Sequence, residues 1–172
     1  ELTLTSQTWR GIVWKHQPLP MHSQAIPAAL AAEAARAQGK FWQMHGKIFA
    51  DQKALDDATL ARHAKEIGLD VRRYAQDVAA KRGEARIQED QKLAQSVGAS
   101  GTPTMFFNCR QVVGARPFDQ LRATAEEEIK DPYFMRRPGI CGASHRCPSS
   151  SRRSYRLGVR ITWTALRAQQ IH

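Results

Sequence analysis

The sequence lacks any pair of cysteines with C-x-x-C spacing. Its 172 residues contain only three cysteines, Cys109, Cys141 and Cys147. The direct signature of a dithiol redox centre or of a zinc knuckle is therefore absent. Three cysteines are also too few to indicate whether the protein works in a reducing or an oxidising compartment.

Long apolar runs are also missing. No stretch approaches the roughly 20 apolar residues that span a bilayer, so no transmembrane segment is predicted. No basic and apolar leader opens the chain, so no signal peptide is visible. The hydrophobic fraction of 42% and the charged fraction of 24% are typical of a globular protein that buries a core.

Acidic residues are scarce near the C-terminus. Residues 131–172 carry eight Arg and one Asp, a net charge of +7, whereas residues 1–130 carry +3. This composition predicts that residues 131–172 form a basic, Arg/Ser-rich, poorly ordered tail. Such a tail can meet anionic surfaces through charge, and no specific nucleic-acid binding is predicted. Residues 156–167 fit either a strand or an edge helix. Deletion after Lys130 is expected to leave the preceding domain folded.

Residues 1–130 predict one domain with the order strand, helical block, strand, strand, helix. Residues 12–15 are β-branched and aromatic, which predicts a buried strand. The helical block covers about residues 23–98. Its predicted N-caps are Asp56 or Asp57 and then Asp70, and its predicted stops are Gly39, Gly68 and Gly98.

Each later helix has a predicted buried face. In the helix after Asp70, this face contains Val71, Tyr74 and Val78. The last helix starts at Pro117, and its face contains Phe118, Leu121, Ala125 and Ile129. Between these helices, residues 101–108 and 111–114 predict two strands joined by a short turn.

Several ordered segments together resemble DsbA-like thiol–disulfide oxidoreductases over about residues 11–130. The matching segments are Val13–Pro20 with His22, Gln38–Trp42 with His45, Leu69–Asp70, Val97–Gly98, Ser100–Thr104 and Phe106–Asn108. The resemblance implies an α/β thioredoxin-like fold with a helical insertion at about residues 23–98. It also implies disulfide exchange with thiol- or disulfide-containing proteins or peptides, no cofactor, and a location in the periplasm or cell envelope.

The resemblance assigns a substrate-binding role to two residues. Pro103 corresponds to a cis-proline, the only residue type whose preceding peptide bond is often cis. Thr102 is the residue before it, whose backbone groups would meet the substrate chain. Family members also carry a first strand and a C-x-x-C helix, expected here before Gly11. The ten residues there contain neither, so the sequence predicts an N-terminally truncated and inactive member without identifiable catalytic residues. The alternative is a non-catalytic peptide-binding module on the same fold.

The other candidate residues favour ordinary roles. Cys109 is interpreted as an incidental turn cysteine. Cys141, His145 and Cys147 match no standard zinc spacing, and a disulfide or two unpaired thiols remain open. His16 and His22 flank the Pro-rich turn and are interpreted as surface or capping residues. His45 is predicted on the apolar face of its helix, and no metal site is predicted from these three histidines and His63.

Overall fold

The structure, a computed structural model, describes residues 9–107, 110–130 and 159–164. The strands in these ranges are β1 (Trp9–Lys15), β2 (Thr104–Phe107), β3 (Arg110–Val113) and β4 (Val159–Thr164). The helices are α1 (Ala25–Arg36), α2 (Phe41–Ala50), α3 (Asp57–Glu66), α4 (Val71–Ala79), α5 (Glu84–Ser96) and α6 (Phe118–Lys130). This mixed order confirms the predicted α/β fold class. None of the described helices is long and apolar enough to cross a membrane.

The described chain divides into two compact units. The sheet unit contains residues 9–15 and the described residues from Leu93 to Thr164, and therefore all four strands and α6. The helical unit contains residues 16–92, with α1 to α4 and most of α5. The predicted helical insertion at about residues 23–98 and the domain boundary near 131 stay predictions.

The sheet has the strand order β1-β4-β2-β3. β4 pairs in parallel with β1, where Val13 lies opposite Thr162. It pairs antiparallel with β2, where Phe106 lies opposite the same Thr162. The sequence left strand and helix open for this segment, and the structure contains a strand in the interior of the sheet. The rest of the tail lies outside the described residues.

The β2–β3 hairpin and α6 share a small apolar core. Met105, Phe107 and Ala125 are buried, and Val112 and Leu121 pack against them. The alternation of Met105 and Phe107 along β2 places both on one face of the sheet.

The predicted position of Phe118 in this buried face is wrong, because its side chain is 49% exposed. Phe118 is the first residue of α6, and the packed part of the helix begins about one turn later, at Leu121. The side chain of Ile129 lies outside the described residues.

In the helical unit, α1 packs against α2, α3 and α4. Its buried residues are almost all alanine: Ala25, Ala28, Ala29, Ala31, Ala32, Ala34 and Ala35, with Leu30 and Glu33. Small side chains let neighbouring helices approach α1 closely. The exception is Glu33, a single carboxylate within an apolar face.

Local signals define the helix ends. Asp56 accepts a hydrogen bond from the Thr59 amide at 3.0 Å, and Asp70 accepts one from the Arg73 amide at 3.0 Å. Gly39 has a φ of 74°, a left-handed conformation that favours glycine after a helix. These predicted caps and stops are therefore confirmed.

The predicted buried face of α4 is partly wrong. Val71 is 40% exposed, whereas Asp77 is only 4% exposed. Val71 is the first residue of α4, and the buried residues of the helix begin about one turn later, at Tyr74. The buried Asp77 forms an ion pair with Arg82, whose Nη1 atom lies 3.1 Å from its Oδ1 atom without hydrogen-bond geometry. Tyr74 is buried as predicted.

Candidate functional site

The segment before β2 forms a tight loop, residues Gly101–Thr104. The peptide bond between Thr102 and Pro103 is cis. The Thr104 hydroxyl donates a hydrogen bond to the Gly101 carbonyl at 2.6 Å. The Gly114 amide, beyond β3, donates to the Pro103 carbonyl at 2.8 Å. These two bonds attach the loop to the hairpin, so that the β2–β3–α6 core positions it.

Thr102 has open hydrogen-bonding capacity. Its Oγ1 atom is buried without a hydrogen-bond partner among the described residues. Its backbone N–H and C=O likewise have no partner in that part of the chain. Thr102 and Pro103 are half-buried, so the loop remains accessible beside the first residue of β2. Backbone groups in this state can pair with an extended chain, as a sheet edge does.

The other candidate residues from the sequence lie only partly within the described ranges. Cys109, Cys141, His145 and Cys147 all lie outside the described residues. Within the described ranges, no group of three or more His, Cys, Asp or Glu residues could hold a metal ion. His22 is half-buried.

His63 and His16 are both buried, at 4% and 1% exposed. The burial of His16 corrects the prediction of a surface or capping role for it. His63 lies on the inner face of α3, one residue before the buried Ala64. His16 follows directly after β1, where the prolines at 18 and 20 turn the chain.

His16 takes part in a buried polar cluster. Its backbone amide donates to the Asp90 carboxylate at 2.9 Å. Its Nε2 atom lies 2.7 Å from the Oε1 atom of Glu33. The Arg36 Nε atom donates to the same Oε1 at 2.9 Å, and the Arg86 Nε atom lies 3.6 Å from Oε2. Glu33 thus contacts groups from the turn after β1, from its own helix α1 and from α5.

The cluster favours the ionised form of Glu33. Burial by itself raises the pKa of this carboxyl, but the hydrogen bond from His16 and the charges of His16 and Arg36 outweigh burial. The pKa of Glu33 is therefore lowered from its ordinary value of 4.5. Sequence reasoning missed this residue, although a lone carboxylate within the run Ala28–Ala35 was a usable signal, because buried charges need partners.

His45 belongs to an aromatic cluster on α2. Its ring stacks on Phe49 with centroids 4.4 Å apart and meets Trp42 edge-on at 5.3 Å. Burial and then the charge of His16 lower the pKa of His45 to about 4. His45 is therefore neutral at pH 7 and behaves as an aromatic packing residue.

Comparisons with known proteins identify related chains. The sequence profile of the DSBA-like thioredoxin domain matches residues 11–125. That match includes the Thr102–Pro103 loop, the β2–β3 hairpin and the whole helical unit. No solved structure matches significantly.

The curated proteins with similar sequences are named as Na(+)/H(+) antiporters. The chain is 43% identical over 112 residues to the Na(+)/H(+) antiporter NhaA 3 of Salinispora tropica, which covers 64% of the chain and 17% of that protein. It is 42% identical over 121 residues to the Na(+)/H(+) antiporter NhaA 1 of Salinispora arenicola, covering 70% and 19%. It is 37% identical over 107 residues to the Na(+)/H(+) antiporter NhaA of Herminiimonas arsenicoxydans, covering 62% and 17%. The chain thus spans less than a fifth of these relatives.

Proposed function

Because the chain belongs to the DSBA-like thioredoxin domain family, we propose that it serves thiol–disulfide exchange by binding a cysteine-containing polypeptide at Thr102 and Pro103. The family supports a thioredoxin-like fold and an oxidoreductase ancestry. The binding role of the loop goes beyond that and depends on the geometry of Thr102.

The observation that carries the proposal is the unpaired backbone of Thr102 among the described residues. An extended substrate would donate one amide hydrogen to the Thr102 carbonyl and accept one from its N–H. Each such bond contributes about 1 kcal/mol net, so two bonds hold a substrate weakly and reversibly. Weak holding suits an exchange step, in which the polypeptide must leave again.

Thiol–disulfide exchange needs a thiolate, which attacks one sulfur of a disulfide and releases the other sulfur as a thiolate. The 172 residues contain no C-x-x-C pair to form and resolve such a mixed disulfide. We therefore propose that this chain supplies the polypeptide-binding half of the reaction. Dithiol cycling by the chain alone is not part of the proposal.

Binding can be measured with a fluorescently labelled, reduced cysteine-containing peptide, by fluorescence anisotropy. Thr102→Arg should block the loop by bulk and weaken binding about tenfold, which corresponds to about 1.4 kcal/mol. Ala123→Arg is the matched control, because Ala123 is exposed on α6 in the same unit. Equal binding by Thr102→Arg and the unchanged protein would count against the proposal.

An insulin-reduction assay separates binding from catalysis. The unchanged chain should give only the background rate of the dithiol reductant. Turnover above background that is lost in Cys109→Ser would instead support an enzyme that uses Cys109, the cysteine interpreted as incidental from the sequence.

A second candidate function comes from the antiporter names of the relatives. We infer that the domain can form part of a longer Na(+)/H(+) antiporter protein, because two proteins of that name are 42–43% identical to this chain over 112–121 residues. Sequencing the coding region on both sides tests this. A reading frame that continues into long apolar segments is expected, and stop codons close to both ends would exclude it.

A further inference from the structure

A groove of about 360 Å³ lies within the helical unit. Side chains from α1, α4, the turn after α4 and the start of α5 line it, among them Glu33, Arg36, Arg73, Asp77, Arg82 and Arg86. We refer to it as the arginine groove. It consists entirely of residues 33–86, so it is separate from the Thr102–Pro103 loop in the sheet unit.

The arginine groove has an excess of positive charge. Four guanidinium groups face two carboxylates, which leaves a formal charge of +2. The two carboxylates are almost inaccessible, at 6% exposed for the side chain of Glu33 and 4% for that of Asp77. Three of the arginines are exposed, at 50% for Arg86, 55% for Arg73 and 70% for Arg82. A ligand entering the groove therefore meets the cations before the carboxylates.

Two of the four guanidinium groups, those of Arg36 and Arg73, are anchored by contacts inside the helical unit. The Arg36 guanidinium carbon lies 3.9 Å from the centroid of the Phe41 ring, and its Nε atom is bonded to Glu33 at 2.9 Å. The Arg73 Nη2 atom donates to the Ala37 carbonyl at 3.3 Å. Groups that are already positioned lose less conformational entropy when a ligand binds.

The ion pairs with Glu33 and Asp77 do not by themselves account for all four arginines. Glu33 is already satisfied by His16 at 2.7 Å and Arg36 at 2.9 Å, while Arg86 stands farther off at 3.6 Å. The ion pair between Arg73 and Asp77 is similarly long, since the Nε atom of Arg73 lies 3.8 Å from the Oδ2 atom of Asp77. In addition, the Nη2 atom of Arg36 is buried without a hydrogen-bond partner among the described residues. A buried donor without an acceptor is costly, so the pairing around Glu33 leaves hydrogen-bonding capacity on Arg36 unused among the described residues.

We propose that the arginine groove binds the phosphate group of a small phosphorylated molecule. The excess charge of +2 matches a phosphate dianion, and the planar fork of guanidinium matches the geometry of phosphate oxygens. A volume of about 360 Å³ lies at the lower end of the range for small-molecule pockets, which leaves room for more than the phosphate group itself.

The proposal is tested on the full chain by isothermal titration with inorganic phosphate at constant ionic strength. Phosphate should bind with a dissociation constant of about 1 mM or lower, and sulfate should compete with it. The double variant Arg82→Ala and Arg86→Ala should bind at least about tenfold more weakly, because charge-assisted hydrogen bonds to phosphate are lost.

Arg62→Ala is the matched control. Arg62 is 56% exposed on α3 in the same unit and pairs with Asp51 at 3.0 Å, away from the groove. Its removal should change the dissociation constant by less than about twofold, since screening limits the effect of distant charges. Circular dichroism verifies that each variant is folded, and Arg82→Lys with Arg86→Lys provides a second variant that keeps the charge but loses the fork.

Three results would overturn the proposal. The first is the absence of heat with 10 mM phosphate. The second is an equal loss of affinity in Arg62→Ala, which would indicate general attraction to a basic protein. The third is binding to vesicles that contain phosphatidic acid together with no binding of inorganic phosphate, which would assign the groove to a membrane surface.

Discussion

At the scale of single residues, Glu33 has the strongest structural role in the helical unit. Its carboxylate contacts His16, Arg36 and Arg86, and the residue is only 7% exposed. Replacing one member of a buried charged group leaves its partners uncompensated, at a cost of about 3 kcal/mol. We therefore expect Glu33→Gln to lower the free energy of unfolding by about this amount in urea denaturation at pH 7.

The control for this variant is Glu66→Gln. Glu66 also forms an ion pair, with Lys47 at 2.7 Å, but both side chains are exposed. Exposed ion pairs contribute little, so the stability should hardly change. A similar loss in both variants would contradict the special role of Glu33.

The lowered pKa of Glu33 also predicts a pH dependence. Because its folded-state pKa lies below the ordinary value of 4.5, its contribution is present above that value and is lost as the pH falls below it. Urea midpoints measured between pH 5 and pH 3 should fall less steeply in Glu33→Gln than in the unchanged chain. Parallel curves would show that the carboxylate is not tied to His16 and Arg36 in solution.

His45 affects stability at a higher pH than Glu33 does. Its folded-state pKa is about 4 against an ordinary 6.5, so folding favours the neutral ring. Stability is therefore complete above pH 6.5 and decreases as the pH falls from 6.5 towards 4, by roughly 2–3 kcal/mol. His45→Phe should remove this loss and keep the stacking on Phe49, whereas His22→Gln should retain it. Thermal melts at pH 7, 6 and 5 measure the difference.

At the scale of elements, Gly83 and Gly46 form a matched pair. A Cβ atom at Gly83 would lie 2.5 Å from the Cβ of Glu33, a distance that real Cβ atoms do not tolerate. A Cβ at Gly46, within α2, meets nothing within 4 Å. We expect Gly83→Ala to destabilise the chain by about 1–3 kcal/mol and Gly46→Ala to stabilise it by about 0.5–1 kcal/mol. Urea denaturation of both variants checks the two signs, and a loss in both would contradict the close approach at Gly83.

The helix ends were predictable from sequence because they depend on short-range chemistry. Asp56 and Asp70 cap their helices through bonds to the amides three residues later, and Gly39 has the backbone conformation that ends a helix. Such signals depend on a few neighbouring residues. Val71 and Phe118 are exposed at the first position of their helices. Exposure there depends on long-range packing, and helical periodicity does not contain that information.

The candidate sites show the same contrast. The Thr102–Pro103 loop could be proposed from the sequence because the family resemblance that implies it includes the continuous segment 100–108. The arginine groove was not predicted, since its residues come from segments about 40–50 positions apart and become neighbours only when α1, α4 and the start of α5 pack together. Long-range neighbours of this kind leave no local pattern in one sequence.

At the scale of the whole molecule, β4 changes what is expected of the tail. Composition predicted that the domain would fold without residues 131–172. In the structure β4 instead lies between β1 and β2 and forms backbone pairs with both, for example Thr162 with Val13 and Phe106. Without β4, β1 would lose its only described partner strand, and β2 would expose one full edge. Unpaired strand edges promote aggregation.

Two deletions separate the strand from the rest of the tail. Deletion after Lys130 removes β4 and should abolish cooperative unfolding or cause aggregation, as measured by thermal melts and size-exclusion chromatography. Deletion after Ala165 removes only the residues that follow β4 and should leave both measurements unchanged. A point variant provides an independent test. Thr162→Pro removes an N–H from a strand that is paired on both sides and should destabilise the chain by about 1–3 kcal/mol, because the acceptor of that N–H loses its partner. A chain that melts cooperatively without residues 131–172 would restore the boundary predicted from composition and place β4 outside the folded sheet.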